Sequence, residues 1–412
     1  MPQSSYLQFI NCNRRFLFFG FIAGFGSSFG QTFFIGVFGP HLQQEFSLSH
    51  TAWSSIYLAG TLASAAILPW SGKLIDRVNL RRYSTVAACL GIAACLYFSL
   101  VSGPLLLIIG IFFLRQTGQG LTSHIAMTSM ARYFEAQRGR AIAIATTGFA
   151  CGEALLPLPA VLLIAAIGWR WTYVGVALML LLVGVPLIRW LLKDHEERDR
   201  RLADSSNAVT TDAERAALRR SWSRSEVLRD RRFYLLIPAV TGPSVIGTAM
   251  FFHHLSLADA KGWSHEWITG SYVVYSAATT IAALVSGSIV DRVGATRLVP
   301  LMPVPLLLAL VVVATLDSPY AAWLYFGIFG LSSGLYFTSV TAMWAELYGV
   351  GYIGSIKAMV TSFGVFGSAI GPVFMAGLMD LGLHVTDVCL LFALISGAGT
   401  LLAYTAIRQQ SP

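Results

Sequence analysis

Charge is scarce in this sequence. Only 12% of its 412 residues are Asp, Glu, Lys or Arg, whereas 55% are hydrophobic. Soluble domains carry roughly 25% charged residues, so the composition excludes an ordinary soluble globular protein. The mean hydropathy of +0.66 indicates a chain whose solvent is largely lipid.

Several chemistries also lack the residues that they need. The five cysteines are odd in number and have no metal-ligand spacing, so they indicate neither a disulfide framework nor a metal site. No Gly-x-x-x-x-Gly-Lys-Ser/Thr phosphate loop occurs, which argues against ATP hydrolysis by this chain. The segment from Gly330 to Gly334 matches the Gly-x-Ser-x-Gly pattern of hydrolases but lies inside an apolar run. We therefore expect no enzyme, no metal and no cofactor.

Long apolar runs are what the chain does have. Each is continuous and close to the ~20 residues that a helix needs to cross ~30 Å of hydrocarbon, which favours helices over the alternating strands of a barrel. We predict an all-α membrane protein with twelve transmembrane helices, called spans 1 to 12. They run roughly over 16–38, 51–71, 83–101, 105–130, 141–167, 169–192, 233–257, 266–289, 297–315, 320–345, 355–379 and 385–407.

The cations divide unequally between the loops that join these spans. Of 28 Lys and Arg residues, two (Arg170 and Lys261) fall on one side and Arg115 falls within span 4, which leaves 28 − 3 = 25 on the other side. Cations near span ends stay in the cytoplasm during insertion, so both termini are expected there. We expect the membrane to be a bacterial inner membrane. This topology accounts for the net charge of +8, and no nucleic-acid partner is expected.

One half of the chain is a diverged copy of the other. Ser71–Val78 recurs as Ser286–Val293, at an offset of 286 − 71 = 215 residues, and the same offset relates Gly152 to Gly367. A parallel duplication in an apolar chain is typical of a transporter built from two pseudo-symmetric six-helix bundles. We predict bundles over residues 1–192 and 233–412, joined by a cytoplasmic linker over 193–232.

The linker is rich in arginine, and its second part mixes arginines with apolar residues. Trp222, Val227 and Leu228 would suit an amphipathic helix on the inner leaflet, with membrane lipid as its partner. A solvated linker is the alternative.

Arg115 is the most costly residue of the chain for a membrane protein. Counted from Leu105 at ~1.5 Å per residue, it lies ~15 Å deep, where a free arginine costs about 2.5–3.5 kcal/mol. Glu153 in span 5 falls at almost the same depth, so we expect the two side chains to pair. A buried carboxylate there is a natural proton carrier. A fixed ion pair that only holds the bundle together is the alternative.

Polar side chains on the faces of four spans indicate a cavity for a small polar solute. Gln119 and Thr122 follow Arg115 at i+4 and i+7, which places the three on one face of an α-helix. Span 8 has a similar face. The remaining candidates for solute binding are Tyr272, Tyr275 and Thr279 in span 8, Tyr336 in span 10 and Gln31 in span 1. Each alone is more often an ordinary core residue.

Two sequence patterns resemble the signatures of the major facilitator superfamily. One is Gly72-x-x-x-Asp76-Arg77-x-x-x-Arg81-Arg82 between spans 2 and 3, echoed in part by Gly287-x-x-x-Asp291-Arg292, and the other is Arg115-x-x-Gly118-x-Gly120 in span 4. The resemblance covers nearly the whole chain. It implies alternating access, in which Gly72 lets two helices close and Asp76 latches the cytoplasmic side. Arg77, Asp291 and Arg292 would share this gating role. The alternative is that the two aspartates only end helices and set topology.

A shorter stretch is similar to the monocarboxylate-porter-like branch of that superfamily. It comprises Tyr133-Phe134, Arg138-Gly139-Arg140-Ala141, Gly148-x-x-x-Gly152-x-x-x-x-Pro157 and Gly168-Trp169-Arg170. Span 8 lacks the basic residue with an acidic neighbour that this branch usually has, and span 1 lacks its acidic-Gly opening. An anionic solute would therefore have to use Arg115.

These features predict a monomeric secondary transporter of a small organic solute. The predicted solute is an organic anion that enters by proton symport, with Glu153 and Arg115 in the coupling. A proton-coupled exporter of drugs or metabolites is one alternative, although Glu153 replaces the proline of the drug-antiporter motif in span 5. A sensor that binds solute without transporting it is the other alternative.

Overall fold

The structure is a computed structural model that describes residues 6–134, 137–193, 222–349 and 352–408. Within these ranges the secondary structure consists of helices and contains no strand. By their contacts the residues form two compact units, one of Met1–Ser47 with Ser55–Ala208 and the other of Leu48–Ser54 with Val209–Pro412. The first part of the predicted linker, residues 194–221, lies outside the described residues.

The helices of the first unit are repeatedly interrupted. Span 1 runs over Tyr6–Gly26, a 3-10 turn at Ser27–Gly30 and Thr32–Val37, and a short helix Gly39–Glu45 follows it. Spans 2 and 3 are His50–Gly72, ending in a 3-10 turn Lys73–Asp76, and Leu80–Ser99. Span 4 joins Pro104–Arg115, a π-helical turn Gln116–Thr122 and Ser123–Tyr133. Spans 5 and 6 comprise Arg138–Leu155, Pro157–Met179, a π-helical turn Leu180–Gly184 and Val185–Leu191.

The second unit contains longer continuous helices. Spans 10, 11 and 12 are Ala321–Tyr348, Ile353–Asp380 and Val385–Arg408. Span 7 is Arg231–Phe252, after a short helix Arg224–Val227 and before His254–Lys261. Span 8 is His265–Gly270 with Tyr272–Val293. Span 9 consists of Ala295–Leu298, Val299–Leu301 and Pro303–Thr315.

The prediction of twelve spans is confirmed. Ten described stretches are long and apolar enough to cross a membrane. One of them, Gly139–Leu191, contains both span 5 and span 6, which meet where Gly168 adopts a φ of +82°. Leu80–Ser99, which includes Arg81 and Arg82 and is less apolar, is the twelfth span, so the count is 10 + 1 + 1 = 12. Large side chains such as Leu105, Leu284 and Leu394 are more than two-thirds exposed, as expected where helices face lipid.

Glycines let the helices approach one another closely, as is usual in membrane bundles. A Cβ atom on Gly148 of span 5 would lie 2.1 Å from the carbonyl oxygen of Phe21 in span 1. In the second unit a Cβ atom on Gly334 of span 10 would lie 2.2 Å from the carbonyl oxygen of Thr279 in span 8. Neither position tolerates a side chain without movement of the backbone.

The end of the linker is packed against protein, which corrects both interpretations drawn from the sequence. Val227 is fully buried in the core of the second unit, and Leu228 packs against that core. The backbone N–H of Trp222 donates to the carbonyl oxygen of Tyr348 at 2.9 Å, and the two rings lie 5.3 Å apart. The apolar residues that suggested a lipid surface instead cover the end of span 10, because that end offers a buried site for them.

Candidate functional site

Span 1 is broken near its middle, and the break creates the polar centre of the first unit. After the 3-10 turn Ser27–Gly30, Gln31 is extended, with φ of −83° and ψ of 156°, and Thr32 begins the next helix. Such a break frees backbone carbonyl groups from the helical hydrogen-bond pattern, and inside a membrane they must find other partners. Breaks of this kind line binding sites in many transporters.

Arg115 supplies the partner for this break. Its side chain is only 2% exposed. One guanidinium nitrogen, Nη1, donates to the carbonyl oxygen of Gly30 at 3.1 Å and to Oγ1 of Thr32 at 3.4 Å. The guanidinium carbon lies 5.2 Å from the centre of the Tyr57 ring, and the Tyr57 hydroxyl is 2.5 Å from Oγ1 of Thr32. Arg115 thus joins spans 1, 2 and 4.

The expected ion pair between Arg115 and Glu153 is absent from the described part of the chain. Among those residues no carboxylate lies within 4.0 Å of Arg115, and its Nε atom is buried without a hydrogen-bond partner. Glu153 lies in the helix Arg138–Leu155, next to Gly152, which packs against Ser28. Helical rise fixes the depth of a residue but not the direction of its side chain. The pairing therefore fails although both residues lie in neighbouring spans.

The π-helical turn in span 4 corrects the predicted stripe of Arg115, Gln119 and Thr122. A π-helical turn takes more residues than an α-helical turn, so side chains beyond it rotate away from the face that α-helical spacing predicts. The Thr122 hydroxyl donates to the carbonyl oxygen of Thr117, five residues earlier, at 2.6 Å. Gln119 is half-buried within the turn.

Gln116 organises a second polar network that the sequence analysis missed. Its side-chain oxygen accepts a hydrogen bond from Ser64 at 2.9 Å, and its side-chain nitrogen donates to the hydroxyl of Ser71 at 2.8 Å. The hydroxyl of Tyr83 donates to the carbonyl oxygen of Ser71 at 2.9 Å. Polar residues within two apolar spans were the available signal, but only the packing shows that they meet.

The tyrosines expected to bind solute belong to the second unit and have different environments. Tyr272 is fully buried, with its ring against those of Phe251 and Phe326. An aromatic cluster surrounds the ring in this structure, and its predicted contact with solute stays a prediction. The Tyr275 hydroxyl donates to Ser333 at 3.0 Å, and that of Tyr336 donates to the carbonyl oxygen of Val240.

The turns expected to act in gating are described only in part. Gly72 ends span 2, and a Cβ atom there would touch the His124 ring at 3.5 Å. Arg77 and Arg292 are exposed. The side chains of Asp76 and Asp291 lie outside the described part.

A carboxylate in span 10 accepts hydrogen bonds from the turn after span 8, and the sequence alone did not indicate this contact. Gly294 adopts a φ of +85° there, and the carboxylate of Glu346 accepts hydrogen bonds from the backbone N–H groups of Ala295 and Thr296, both at 2.9 Å. In the first half the equivalent position, 346 − 215 = 131, is Ala131.

The described residues contain no cluster of His, Cys, Asp or Glu that would hold a metal ion. The centre of the first unit is thus a buried guanidinium among neutral groups. Such an arrangement suits binding of a solute better than bond-making chemistry.

Comparisons with known proteins agree with this architecture. The sequence profile of the Major Facilitator Superfamily matches residues 20–409. No curated protein matches the chain significantly. The solved structure of the nucleoside transporter NupG is similar, with a TM-score of 0.68 and 13% identity, covering 98% of this chain and 100% of that one.

A second similar structure is that of a bacterial homologue of the human lysosomal transporter Spinster, in an inward-facing and occupied conformation. The TM-score is 0.69 at 14% identity, and the match covers 96% of this chain and 97% of that one. At such identities the likeness concerns the fold alone, and the narrower resemblance to monocarboxylate porters is not confirmed. The profile match over nearly the whole chain shows that this protein belongs to the major facilitator superfamily and is a membrane transporter of small solutes rather than an enzyme.

Proposed function

We propose that this transporter carries a small organic anion by proton symport. The observation that supports the proposal is the Arg115 guanidinium, which is almost fully buried and has no carboxylate partner within the described residues. Its contacts are a backbone carbonyl, a hydroxyl and an aromatic ring. These neutral groups stabilise a cation in part, and a carboxylate of the solute would complete its neutralisation.

Energetic considerations favour an anion over a neutral solute such as a nucleoside. A charged group buried in a membrane protein is costly and is normally paired or given a function. Arginine offers a planar fork of donors that matches a carboxylate in two parallel hydrogen bonds. The unpartnered Nε atom is part of that fork. Gln31 and Gln119 are the proposed contacts for the remaining polar groups of the solute, with Tyr275 and Tyr336 as further contacts.

Glu153 is the proposed proton carrier. It lies in the membrane-spanning stretch Gly139–Leu191, and no described basic residue forms an ion pair with it. A carboxyl group without a fixed cationic partner can exchange a proton as its surroundings change. Because Glu153 is not paired with Arg115 in the described residues, it is free to carry the proton while Arg115 holds the solute, and proton symport would couple the occupancy of the two groups. Alternating access would expose both in turn, with Gly72, Asp76, Arg77, Asp291 and Arg292 at the gates.

Uptake into proteoliposomes tests the proposal. Purified protein is reconstituted, an inward proton gradient is imposed, and accumulation is measured for a panel of monocarboxylates, dicarboxylates and uncharged nucleosides. Symport of an anion predicts concentrative uptake of a carboxylate that collapses with a protonophore. Export by proton antiport predicts accumulation under the opposite gradient. A sensor predicts binding in a thermal-shift assay without flux.

Variants separate the two roles. Arg115→Gln should lower uptake by about a hundredfold or more, since a buried charge-assisted pair is lost, and Arg115→Lys should restore only part of it. Glu153→Gln should lose proton-driven accumulation while keeping exchange of labelled for unlabelled solute. Arg170→Gln is the matched control, because Arg170 is more than one-third exposed and pairs with Glu45. Normal uptake by Arg115→Gln would overturn the assignment.

A further inference from the structure

A narrow cleft lies inside the first unit, beside the part of span 4 that contains Thr117 and Gly118. Spans 1, 3, 4 and 6 line it, and its walls include both π-helical turns of the unit, at Gln116–Thr122 and Leu180–Gly184. The empty space along it is about 660 Å³, counting the part that is open at the protein surface. The lining is largely apolar. Val86 and Leu182, which adjoin lining residues of spans 3 and 6, are more than half exposed, as expected for residues that face lipid.

The cleft is elongated along span 3. Ser84, Ala87, Ala88, Gly91 and Cys95 of that span all line it. From Ser84 to Cys95 is eleven residues, or ~16 Å at the helical rise of ~1.5 Å per residue. One leaflet of a membrane contributes about half of a hydrocarbon core that is ~30 Å thick. The cleft therefore has the length of a single acyl chain within one leaflet.

One end of the cleft has the polar and charged groups that a lipid headgroup needs. Ser84 is only 3% exposed, lines the cleft, and its hydroxyl has no hydrogen-bond partner within the described residues. Arg81 lies one helical turn before Ser84. Ile188, which lines the same end, is followed directly by Arg189 and then by Lys193, and both of these are exposed.

From this geometry we propose that the cleft is a binding site for an anionic phospholipid. One acyl chain lies along span 3 between Ser84 and Cys95. The Ser84 hydroxyl donates to an ester carbonyl of the lipid, and the cations at the ends of spans 3 and 6 attract its phosphate. The proposal concerns lipid rather than the transported solute, so it stands or falls independently of the anion symport proposed above.

The position of the cleft gives the bound chain a consequence for transport. Gly118 lines the cleft, and a Cβ atom on it would lie 2.5 Å from the backbone nitrogen of Gly30. The carbonyl oxygen of Gly30 is the acceptor for Arg115. An acyl chain packed against this contact would support the backbone that holds the guanidinium, and transport would then depend on lipid.

Photolabelling tests the proposal on the full-length protein. Nanodiscs of phosphatidylcholine contain a small fraction of phosphatidylglycerol with a photoreactive diazirine on one acyl chain, and labelled peptides are mapped by mass spectrometry. Labelling is expected on spans 3, 4 and 6 around Cys95, Thr117 and Leu180. Gly91→Leu should reduce this labelling at least about tenfold, because its side chain occupies space that the lipid chain would fill.

Gly175→Leu is the matched control. A Cβ atom on Gly91 would meet only ordinary contacts at 3.9 Å, and one on Gly175 would meet nothing within 4 Å, so neither position is closed to a side chain by the backbone. Labelling at the cleft should be unchanged in Gly175→Leu. Double replacement Arg189→Gln with Lys193→Gln should remove the preference for phosphatidylglycerol over a phosphatidylcholine carrying the same chain.

Three outcomes would overturn the proposal. Equal labelling in Gly91→Leu and wild type would show that the chain lies elsewhere. Equal labelling by the two phospholipids in the wild type would remove the anionic headgroup from the site. Stronger labelling by a diazirine fatty acid than by either phospholipid would make a free acid the ligand. Thermal unfolding of each variant in phosphatidylcholine alone separates these results from misfolding.

Discussion

Span 4 and span 10 occupy equivalent places in the two halves, because the offset of 215 residues takes Arg115 to Gly330. Span 4 contains a π-helical turn and a buried guanidinium, whereas span 10 is one uninterrupted helix from Ala321 to Tyr348. Span 4 meets span 1 through Gly118 and Gly30, whereas span 10 meets span 8 through Gly330 and Gly334. The two halves thus share their architecture, but the π-helical turn and the buried arginine of span 4 have no counterpart in span 10.

The fold tolerates a break in a span where the freed backbone groups gain a partner. Span 1 breaks at Ser27–Gln31, and Arg115 contacts the break. Span 7, its counterpart, contains Pro238 and Pro243 and stays helical throughout. The first unit thus contains a buried polar centre, whereas the described candidates in the second unit are mainly aromatic rings and hydroxyls.

The largest effect on stability is expected from Gly118→Ala. The added Cβ atom would lie 2.5 Å from the backbone nitrogen of Gly30, so spans 1 and 4 must separate. We expect a loss of about 1–3 kcal/mol or more in the free energy of unfolding, together with loss of uptake. Gly334→Ala, at 2.2 Å from the carbonyl oxygen of Thr279, should lose similar stability. Thermal unfolding of both, with Gly175→Ala as control, checks this; an unchanged melting temperature for Gly118→Ala would show that the close approach is wrong.

Gln116→Leu is expected to have the next largest effect. The equivalent position, 116 + 215 = 331, is already leucine, so this variant makes span 4 more like span 10. Ser64 and Ser71 would each lose a buried partner, at a cost of about 1–3 kcal/mol. Adding Ser64→Ala and Ser71→Ala should recover much of the loss, since unpaired polar groups are then removed together. Chemical denaturation in detergent measures both variants, and a failure to recover would contradict the network.

A smaller effect is expected from Thr122→Val. The variant removes the hydroxyl that donates to the carbonyl oxygen of Thr117 across the π-helical turn, which is worth about 1 kcal/mol. Thr280→Val in span 8 is the comparison, because the Thr280 hydroxyl donates to Ser276 in an ordinary α-helix. Hydrogen exchange of the backbone over residues 117–123 should rise only in Thr122→Val. Equal exchange in the two variants would show that the turn does not need this hydroxyl.

The smallest effect is expected at the ion pair of Glu45 and Arg170. Both side chains are more than one-third exposed, so Glu45→Gln should cost only about 0.2–1 kcal/mol and less at high salt. In the second unit Lys261 pairs with Asp317 at 2.7 Å and is itself only 3% exposed. Asp317→Asn should therefore cost more than Glu45→Gln, because it leaves a buried cation without its carboxylate. Melting temperatures at low and high salt decide the order.

Much of the architecture could be predicted from the sequence. The apolar runs gave the twelve spans, and the repeated Ser-Gly and Asp-Arg-Val ends of Ser71–Val78 and Ser286–Val293 gave the duplication. Arg115 stood out because its charge is costly at any orientation. Its partners could not be predicted, since Gly30 and Thr32 reach it through the break in span 1 and Tyr57 reaches it through the packing of span 2. The depth predicted for Glu153 stays a prediction, and the expected ion pair with Arg115 is absent from the described residues.

By itself the sequence determined that the chain lies in a membrane, how many spans it has and that one arginine is buried, because these properties depend on length and polarity along the chain. Tertiary structure decided which groups meet that arginine, where Gln116 finds its partners and that Val227 covers protein rather than lipid. Those outcomes depend on helix rotation and on local breaks in hydrogen bonding. Close contacts between helices at glycine residues help to fix helix rotation, and these contacts exist only once the helices are packed together.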